Sequence, residues 1–262
     1  MTTVGFIGTG NMGSALARAA AASGRADRLL LANRTGEKAE RLAKELGAEA
    51  VSNGEAAASA DVLFLAVKPQ YLVGMLDGIR NVLRVRTDRL LIVSMVAGWS
   101  LERLAETLGE IHVIRIMPNI PDAVGGGVTL FAASPSGTEE EKDYVKALLA
   151  ASGLVSELDE GLLDAATGVT GCGPAFAALF VEALADGAVA CGLPRALALE
   201  YAAAMLKGSA ELLLKTGEHP AALKDRVCSP AGSTIQGVRR LEQGAFRASV
   251  MDAVIAAYEK EF

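Results

Sequence analysis

Gly8, Gly10 and Gly13, in the run Gly8-Thr9-Gly10-Asn11-Met12-Gly13, stand at the G-x-G-x-x-G spacing between an apolar stretch and an amphipathic one. Without side chains at these three places, a strand can turn tightly into a helix, a pyrophosphate can come close, and the helix can pack on the sheet. The helix N-terminus then offers its free N–H groups to the anion. Three glycines so spaced also occur in ordinary turns, so the reading needs support from other residues at the same sheet edge.

The second strand supplies that support through its chemistry. A site of this kind that takes NAD ends its second strand in Asp or Glu, which accepts the ribose 2′-hydroxyl. This chain reads Ala32-Asn33-Arg34-Thr35 there, with no carboxylate. Arg34 can pair with a 2′-phosphate while Asn33 and Thr35 add neutral donors, so NADPH is the preferred cofactor and NADH the second candidate. The structural alternative is that Thr35 caps the next helix and Arg34 is merely solvated. Ala66-Val67-Lys68-Pro69-Gln70 leaves another apolar run at its carboxyl end, where open α/β sheets bind ligands. The same argument marks Val96-Ala97-Gly98 and Met117-Pro118-Asn119, although the Lys68 side chain would equally suit a surface strand end.

Far along the chain, Ser229-Pro230-Ala231-Gly232-Ser233-Thr234 is a turn-rich loop leading into the helical run Ile235–Leu241. Such a loop exposes N–H donors to a carboxylate or phosphate without any basic side chain. Judged locally, N-capping by Ser233 or Thr234 is the commoner role for these hydroxyls.

Strands are expected at Thr3–Ile7, Leu29–Leu31, Val62–Val67, Leu90–Val96 and Val113–Met117, with helices over Asn11–Ser23 and Glu37–Leu46. The strand runs are continuously apolar, as in parallel strands covered on both faces. The fold class that follows is α/β, a Rossmann-type doubly wound sheet over residues 1–160. Past about Glu160 the strand pattern stops, and Gly/Pro punctuation at Gly173-Pro174, Gly192-Leu193-Pro194 and Gly217–Pro220 marks successive helices. Residues 161–262 therefore read as an all-helical oligomerisation and substrate-binding domain. The helix from Pro174 is apolar on almost every side, more than a domain of this size can bury alone, so subunits are expected to share it.

Composition sets the outer limits. A net charge of −6 with no Lys/Arg cluster argues against nucleic-acid and membrane-surface partners. Glu182 and Asp186 interrupt the longest apolar stretch, which speaks against a membrane span. The N-terminus carries no leader pattern, and Cys172, Cys191 and Cys228 have no paired spacing, so a cytoplasmic protein with buried, reduced thiols and no metal site is expected. His112 and His219, the two histidines, read as structural.

Several of these segments together resemble the pyrroline-5-carboxylate reductase family across essentially the whole chain. The carriers are Val4–Gly13, Ala66–Gln70, Arg115–Pro121, Gly171-Cys172-Gly173-Pro174-Ala175-Phe176, Asp186-Gly187 with Gly192–Arg195, Leu223-Lys224-Asp225 and, most specifically, Ser229–Thr234. The resemblance implies NAD(P)H-dependent reduction of the ring imine of 1-pyrroline-5-carboxylate to L-proline, the last step of proline biosynthesis, in a homodimer or dimer-based higher oligomer. It implies that Ser229, Gly232, Ser233 and Thr234 hold the substrate carboxylate, with Thr234 also on the ring nitrogen. It places Gly8, Gly10, Asn11, Met12, Gly13, Asn33, Arg34, Thr35, Asn53, Ala66, Val67, Lys68, Pro69, Ala97 and Gly98 at the cofactor, Asn53 at its adenosine end. Cys172 and Ala231 depart from the family's usual serine and glycine.

The chemistry implied needs no nucleophile. An imine nitrogen can already be protonated near neutral pH, so a hydroxyl that orients it suffices, and Thr234 is the candidate. A β-hydroxyacid dehydrogenase would share the two-domain plan but carry a lysine where Ala177 follows Gly173. A sensor that keeps the fold without turnover is the other alternative, against which the anion-binding loop at Ser229–Thr234 speaks.

Overall fold

Short apolar runs alternating with amphipathic helices build the first part of the chain, in the order β1 (Thr3–Ile7), α1 (Asn11–Ala22), β2 (Arg28–Ala32), α2 (Gly36–Leu46), β3 (Glu49–Ala50), α3 (Asn53–Ser59), β4 (Val62–Leu65), α4 (Pro69–Val85), β5 (Leu91–Ser94), α5 (Leu101–Leu108), β6 (His112–Met117), β7 (Gly127–Ala133), α6 (Glu139–Leu149), β8 (Gly153–Glu157) and α7 (Glu160–Thr170). The computed structural model describes residues 1–109 and 111–259. The chain divides into two compact units, Met1–Gly171 and a second from Cys172 onward.

In the first unit the strands form one eight-stranded sheet ordered β3-β2-β1-β4-β5-β6-β7-β8. β1 to β6 are parallel; β7 runs antiparallel to β6, and β8 parallel to β7. Strand order reverses between β1 and β4, which opens the crevice where doubly wound sheets take ligands. One face is covered by Leu16, Ala17 and Ala20 of α1, Leu42 of α2, and Val145 and Leu148 of α6, packed on Phe6, Phe64 and Phe131. The other carries Ala56 of α3, Leu72, Leu76 and Ile79 of α4, Leu104 of α5 and Leu163 of α7. Burial on both faces is the reason these strands show no alternation.

The expected strands are present, with β4 and β5 ending at Leu65 and Ser94, ahead of the Val67 and Val96 expected. The end of the sheet at β7 and β8 was not marked by the apolar runs considered above. The helix α7 lies beyond the expected boundary near Glu160 yet groups with the first unit, because Leu163 enters its core. Buried Arg115 on β6 holds α7 through Glu160, at 3.2 Å, and Asp164, at 3.0 Å. Asn119 adds a clamp, its Nδ2 donating to Thr170 O and its Oδ1 accepting from Val128 N, each at 2.8 Å.

The second unit consists of α8 (Gly173–Ala190), α9 (Arg195–Thr216), α10 (Pro220–Val227), α11 (Ser233–Gln243) and α12 (Phe246–Glu259). Prolines open α8 and α10 within their first turn and precede α9, where a missing N–H costs nothing. Among the described residues, α8 buries only Ala185, α9 only Ala198 and Ala202, and α10 to α12 none. Leu179, Tyr201, Met205, Leu214, Met251 and Ile255 are exposed in the single chain. Residues 160–190 have the length and composition of a membrane span, but the structure breaks them into α7 and α8.

The thiols correct one expectation. All three are unpaired, but Cys191 is exposed and Cys172 and Cys228 are half-buried, since the helices they flank bury so little within one chain.

In the loop after β6, Asp122 is buried, its Oδ2 accepting from Asn119 N at 3.0 Å while Oδ1 has no partner. That oxygen fills the space a side chain on Gly127 would need. Burial is the main cause that raises the carboxyl from 3.8 to about 6, with the Asn119 N–H and the neighbouring Thr129 hydroxyl pulling the other way. The folded state thus favours the protonated form, so the contribution of Asp122 to stability is present below about pH 4 and lost as pH rises through about 6. Chemical denaturation of Asp122→Asn across pH 4 to 8 should therefore show the variant gaining about 1–3 kcal/mol on the parent toward high pH. Parallel curves would contradict the assignment.

Candidate active site

The carboxyl ends of the central strands are aligned: Ile7 pairs with Ala32 on one side and Leu65 on the other, and Leu65 with Ser94. The glycine turn and the Asn33, Lys68 and Ala97 segments expected at the cofactor therefore emerge along one row, after β1, β2, β4 and β5, while Asn53 follows β3. The Gly8 N–H donates to Ala32 O at 2.8 Å and the Ala66 N–H to Ile7 O at 2.9 Å, carrying the sheet bonds one step past β1.

The glycines of the turn have separable roles. Gly8 has φ +110°, and a Cβ there would strike the Ala66 carbonyl, lying 2.7 Å from its carbon. A Cβ on Gly13 would clash with the Gly8 carbonyl and lie 3.0 Å from Ala66 Cβ. These two positions are empty because β1, α1 and the β4 exit meet there. Gly10 differs: a Cβ on it would meet nothing within 4 Å. Gly10 is also the N-cap of α1, with no side-chain cap bond, so the first-turn N–H groups of Asn11, Met12 and Gly13 face a space left open beside them. Uncapped N–H groups at a helix N-terminus suit a pyrophosphate by charge.

The Asn33 amide ties the turn to the β2 exit, its Oδ1 accepting from Thr9 N at 3.1 Å and its Nδ2 donating to Thr35 O at 3.0 Å. One amide hydrogen remains for a ligand. Thr35 holds the N-cap position of α2 without a side-chain cap bond. Arg34 is exposed, has no ion-pair partner among the described residues, and lies over the Tyr71 ring, 4.7 Å from its centroid. Lys68, exposed and also without an ion pair among the described residues, is the N-cap of α4, with Pro69 in its first turn. Asn53 opens α3 behind the Ser52–Glu55 capping box, half-buried and with its amide free among the described residues. Ala97 and Gly98 are exposed, Gly98 at φ +73°, and buried Trp99 follows them beneath Arg103, whose Cζ is 3.9 Å from the ring. Asn119 is occupied as a structural clamp.

In the second unit, Ser229-Pro230-Ala231-Gly232 is a turn closed by Gly232 N–H to Ser229 O at 3.0 Å. Pro230 takes the second position, and Ala231 the third at φ +60°, the left-handed region that normally calls for glycine. Keeping Ala231 there costs about 1 kcal/mol. A side chain on Gly232 would clash with Ser229 Oγ, so that position is restricted. The N-cap of α11 is Gly232, and neither Ser233 nor Thr234 caps the helix. This overturns the local expectation of N-capping: both residues already lie inside the first turn. Ser229, Ser233 and Thr234 are exposed with free hydroxyls among the described residues, beside first-turn N–H groups that no side chain caps.

His219 caps α10, accepting from Ala221 N at 3.2 Å, and His112 faces Glu141 at 3.1 Å, at the opposite end of β6 from the crevice. Both rings are engaged by neighbouring groups of the chain itself. Tyr71, by contrast, escaped the sequence reading; the available signal was an aromatic residue just past Pro69, in the first turn of the helix leaving β4.

The crevice at the switch point and the glycine turn after β1 are those of a dinucleotide-binding fold, and residues 3–98 match the family model described as NADP oxidoreductase coenzyme F420-dependent. Residues 160–261 match the one described as pyrroline-5-carboxylate reductase dimerisation. The chain is 40% identical over 260 residues to a pyrroline-5-carboxylate reductase of Arabidopsis thaliana, covering 98% of this chain and 93% of the relative. A Coxiella burnetii pyrroline-5-carboxylate reductase structure matches at TM-score 0.92 and 28% identity, covering 99% of this chain and 97% of that one. A Plasmodium falciparum pyrroline carboxylate reductase solved with NADP bound matches at TM-score 0.86 and 32% identity, again over 99% and 97%. This chain belongs to the pyrroline-5-carboxylate reductase family.

Proposed function

We infer that the chain reduces 1-pyrroline-5-carboxylate to L-proline with NADPH as the preferred reductant, and that the exposed Ser229–Thr234 loop binds the substrate. The observation that carries the substrate assignment is the N-terminus of α11, where glycine supplies the N-cap and three hydroxyls stand free. A carboxylate fits there, taking the N–H groups that no side chain occupies, with the helix dipole adding to the attraction.

Bound NADPH supplies a hydride to the imine carbon. The C=N double bond becomes a C–N single bond, and the nitrogen keeps the proton it carried as the iminium. What the protein contributes is orientation. The carboxylate on the loop fixes the ring, and the Thr234 hydroxyl accepts a hydrogen bond from the protonated nitrogen, presenting one face of the imine. An unperturbed hydroxyl is a poor acid, so Thr234 positions the nitrogen and moves no proton.

The preference for NADPH rests on Arg34. The end of β2 offers no carboxylate to a ribose hydroxyl, whereas Arg34 has no acidic partner among the described residues and can take a phosphate on two N–H groups. Asn33, Thr35 and Asn53 add neutral contacts at the same end, Lys68 and Pro69 border the β4 exit, and Ala97 and Gly98 border the β5 exit. We further propose a homodimer, or a larger assembly of dimers, in which the apolar surfaces of α8, α9 and α12 are covered by a second copy. The unpaired thiols support a cytoplasmic setting.

Steady-state NADPH oxidation with pyrroline-5-carboxylate tests the reading, and no turnover by folded, cofactor-bound protein would overturn it. Thr234→Ala should lower kcat about 10- to 100-fold, the scale of one hydrogen bond to a charged group, with Thr234→Ser retaining most of the rate. An undiminished rate in the alanine variant would remove Thr234 from the mechanism. Arg34→Ala should raise KM for NADPH about tenfold or more and leave NADH unaffected. Equal losses for the two cofactors would assign Arg34 a structural role.

A further inference from the structure

We propose that Tyr71 is a positioning residue of the cofactor site, its ring holding the Arg34 guanidinium ready for the 2′-phosphate and so setting part of the selectivity for NADPH over NADH. The inference rests on the proposed role of Arg34 and extends it to a residue on a different strand-helix unit.

Arg34 lies at the end of β2, on a loop, with a long side chain that pays rotameric entropy whenever it is held in one place. Glu37 and Glu40 of α2 lie close in sequence, yet Arg34 pairs with neither and packs on Tyr71 at 4.7 Å. Tyr71 is itself well fixed. Its N–H donates to Lys68 O at 2.9 Å, Pro69 sets the first turn of α4, and the adjoining Leu72 is fully buried in the core beneath. Tyr71 remains 47% exposed and is not among the buried core residues. A guanidinium held over a ring spends no N–H group on an acidic partner, so its donors stay available to a phosphate. The cations Arg34 and Lys68, exits of β2 and β4, flank the glycine turn after β1, and each lacks an acidic partner among the described residues.

The test measures binding of NADP+ and NAD+ without substrate, by quenching of Trp99, the chain's one tryptophan, and by calorimetry. Tyr71→Leu should weaken NADP+ about two- to fivefold, the scale of an exposed cation–ring contact, and leave NAD+ unchanged. Tyr71→Phe keeps the ring and should bind NADP+ as the parent does. In an Arg34→Ala background, Tyr71→Leu should have no further effect, because the ring acts through the guanidinium. Thermal denaturation of the exposed-site variants should match the parent.

If Tyr71→Leu leaves NADP+ binding intact while Arg34→Ala lowers it, the Tyr71 role falls and the Arg34 reading stands. If Tyr71→Leu weakens both cofactors alike, even without Arg34, the ring packs on the adenosine directly and the proposal is overturned. If Arg34→Ala does not discriminate between the cofactors, both fall together.

Discussion

The site in the first unit depends on one steric constraint, the meeting of three backbone segments where Gly8, Gly13 and Ala66 leave no room for a side chain. The glycine turn can reach the N-terminus of α1 only because Gly8 adopts a positive φ, and α1 can lie against the sheet only because Gly13 is bare. Extension of the sheet bonds from Ile7 to Ala66 and from Gly8 to Ala32 fixes the exits of β4 and β2 beside that turn. Arg34, Lys68 and the uncapped N–H groups of α1 thus reach one edge through backbone geometry, without help from any salt bridge. Polar side chains then tighten the loops, Asn33 between β1 and β2, and Asn119 between β6, β7 and α7.

The second unit follows a different rule. Its helices bury almost nothing within one chain, and an apolar surface of this extent on an isolated molecule is a feature of shared interfaces. The family match to a dimerisation region over residues 160–261 agrees with that exposure. Within this unit the Ser229–Thr234 loop gains its shape from a tight turn, Pro230 setting the second position and Ala231 accepting a conformation suited to glycine. The turn leads into a helix whose first-turn N–H groups no side chain caps, which is where the proposed substrate carboxylate would bind.

Much of this was legible in the residues. Parallel strands buried on both faces read as unbroken apolar runs, so β1, β4, β5 and β6 were plain, as was the glycine spacing after β1. The helical half announced itself through Gly/Pro punctuation, and the unusual apolarity of the helix at Pro174 already implied a shared core. Contacts between separate elements of the first unit were not legible: Arg34 on Tyr71, Arg115 on Glu160 and Asp164, and the unpartnered Asp122 carboxyl over Gly127. Nor could local sequence distinguish capping by Ser233 and Thr234 from hydroxyls left free, since the difference depends on where the helix begins.

Gly10 separates the cradle's use from its construction. Gly8 and Gly13 are demanded by the protein's own backbone, but among the described residues nothing lies within 4 Å of where a Cβ on Gly10 would stand, and its φ of −73° is one any residue adopts. Binding of NADPH to Gly10→Ala, read alongside thermal stability, therefore tests most directly whether that space belongs to the pyrophosphate. The account predicts stability within about 1 kcal/mol of the parent and affinity reduced at least about tenfold, since an added methyl group takes the position of the anion. Unchanged affinity in a normally folded variant would contradict it.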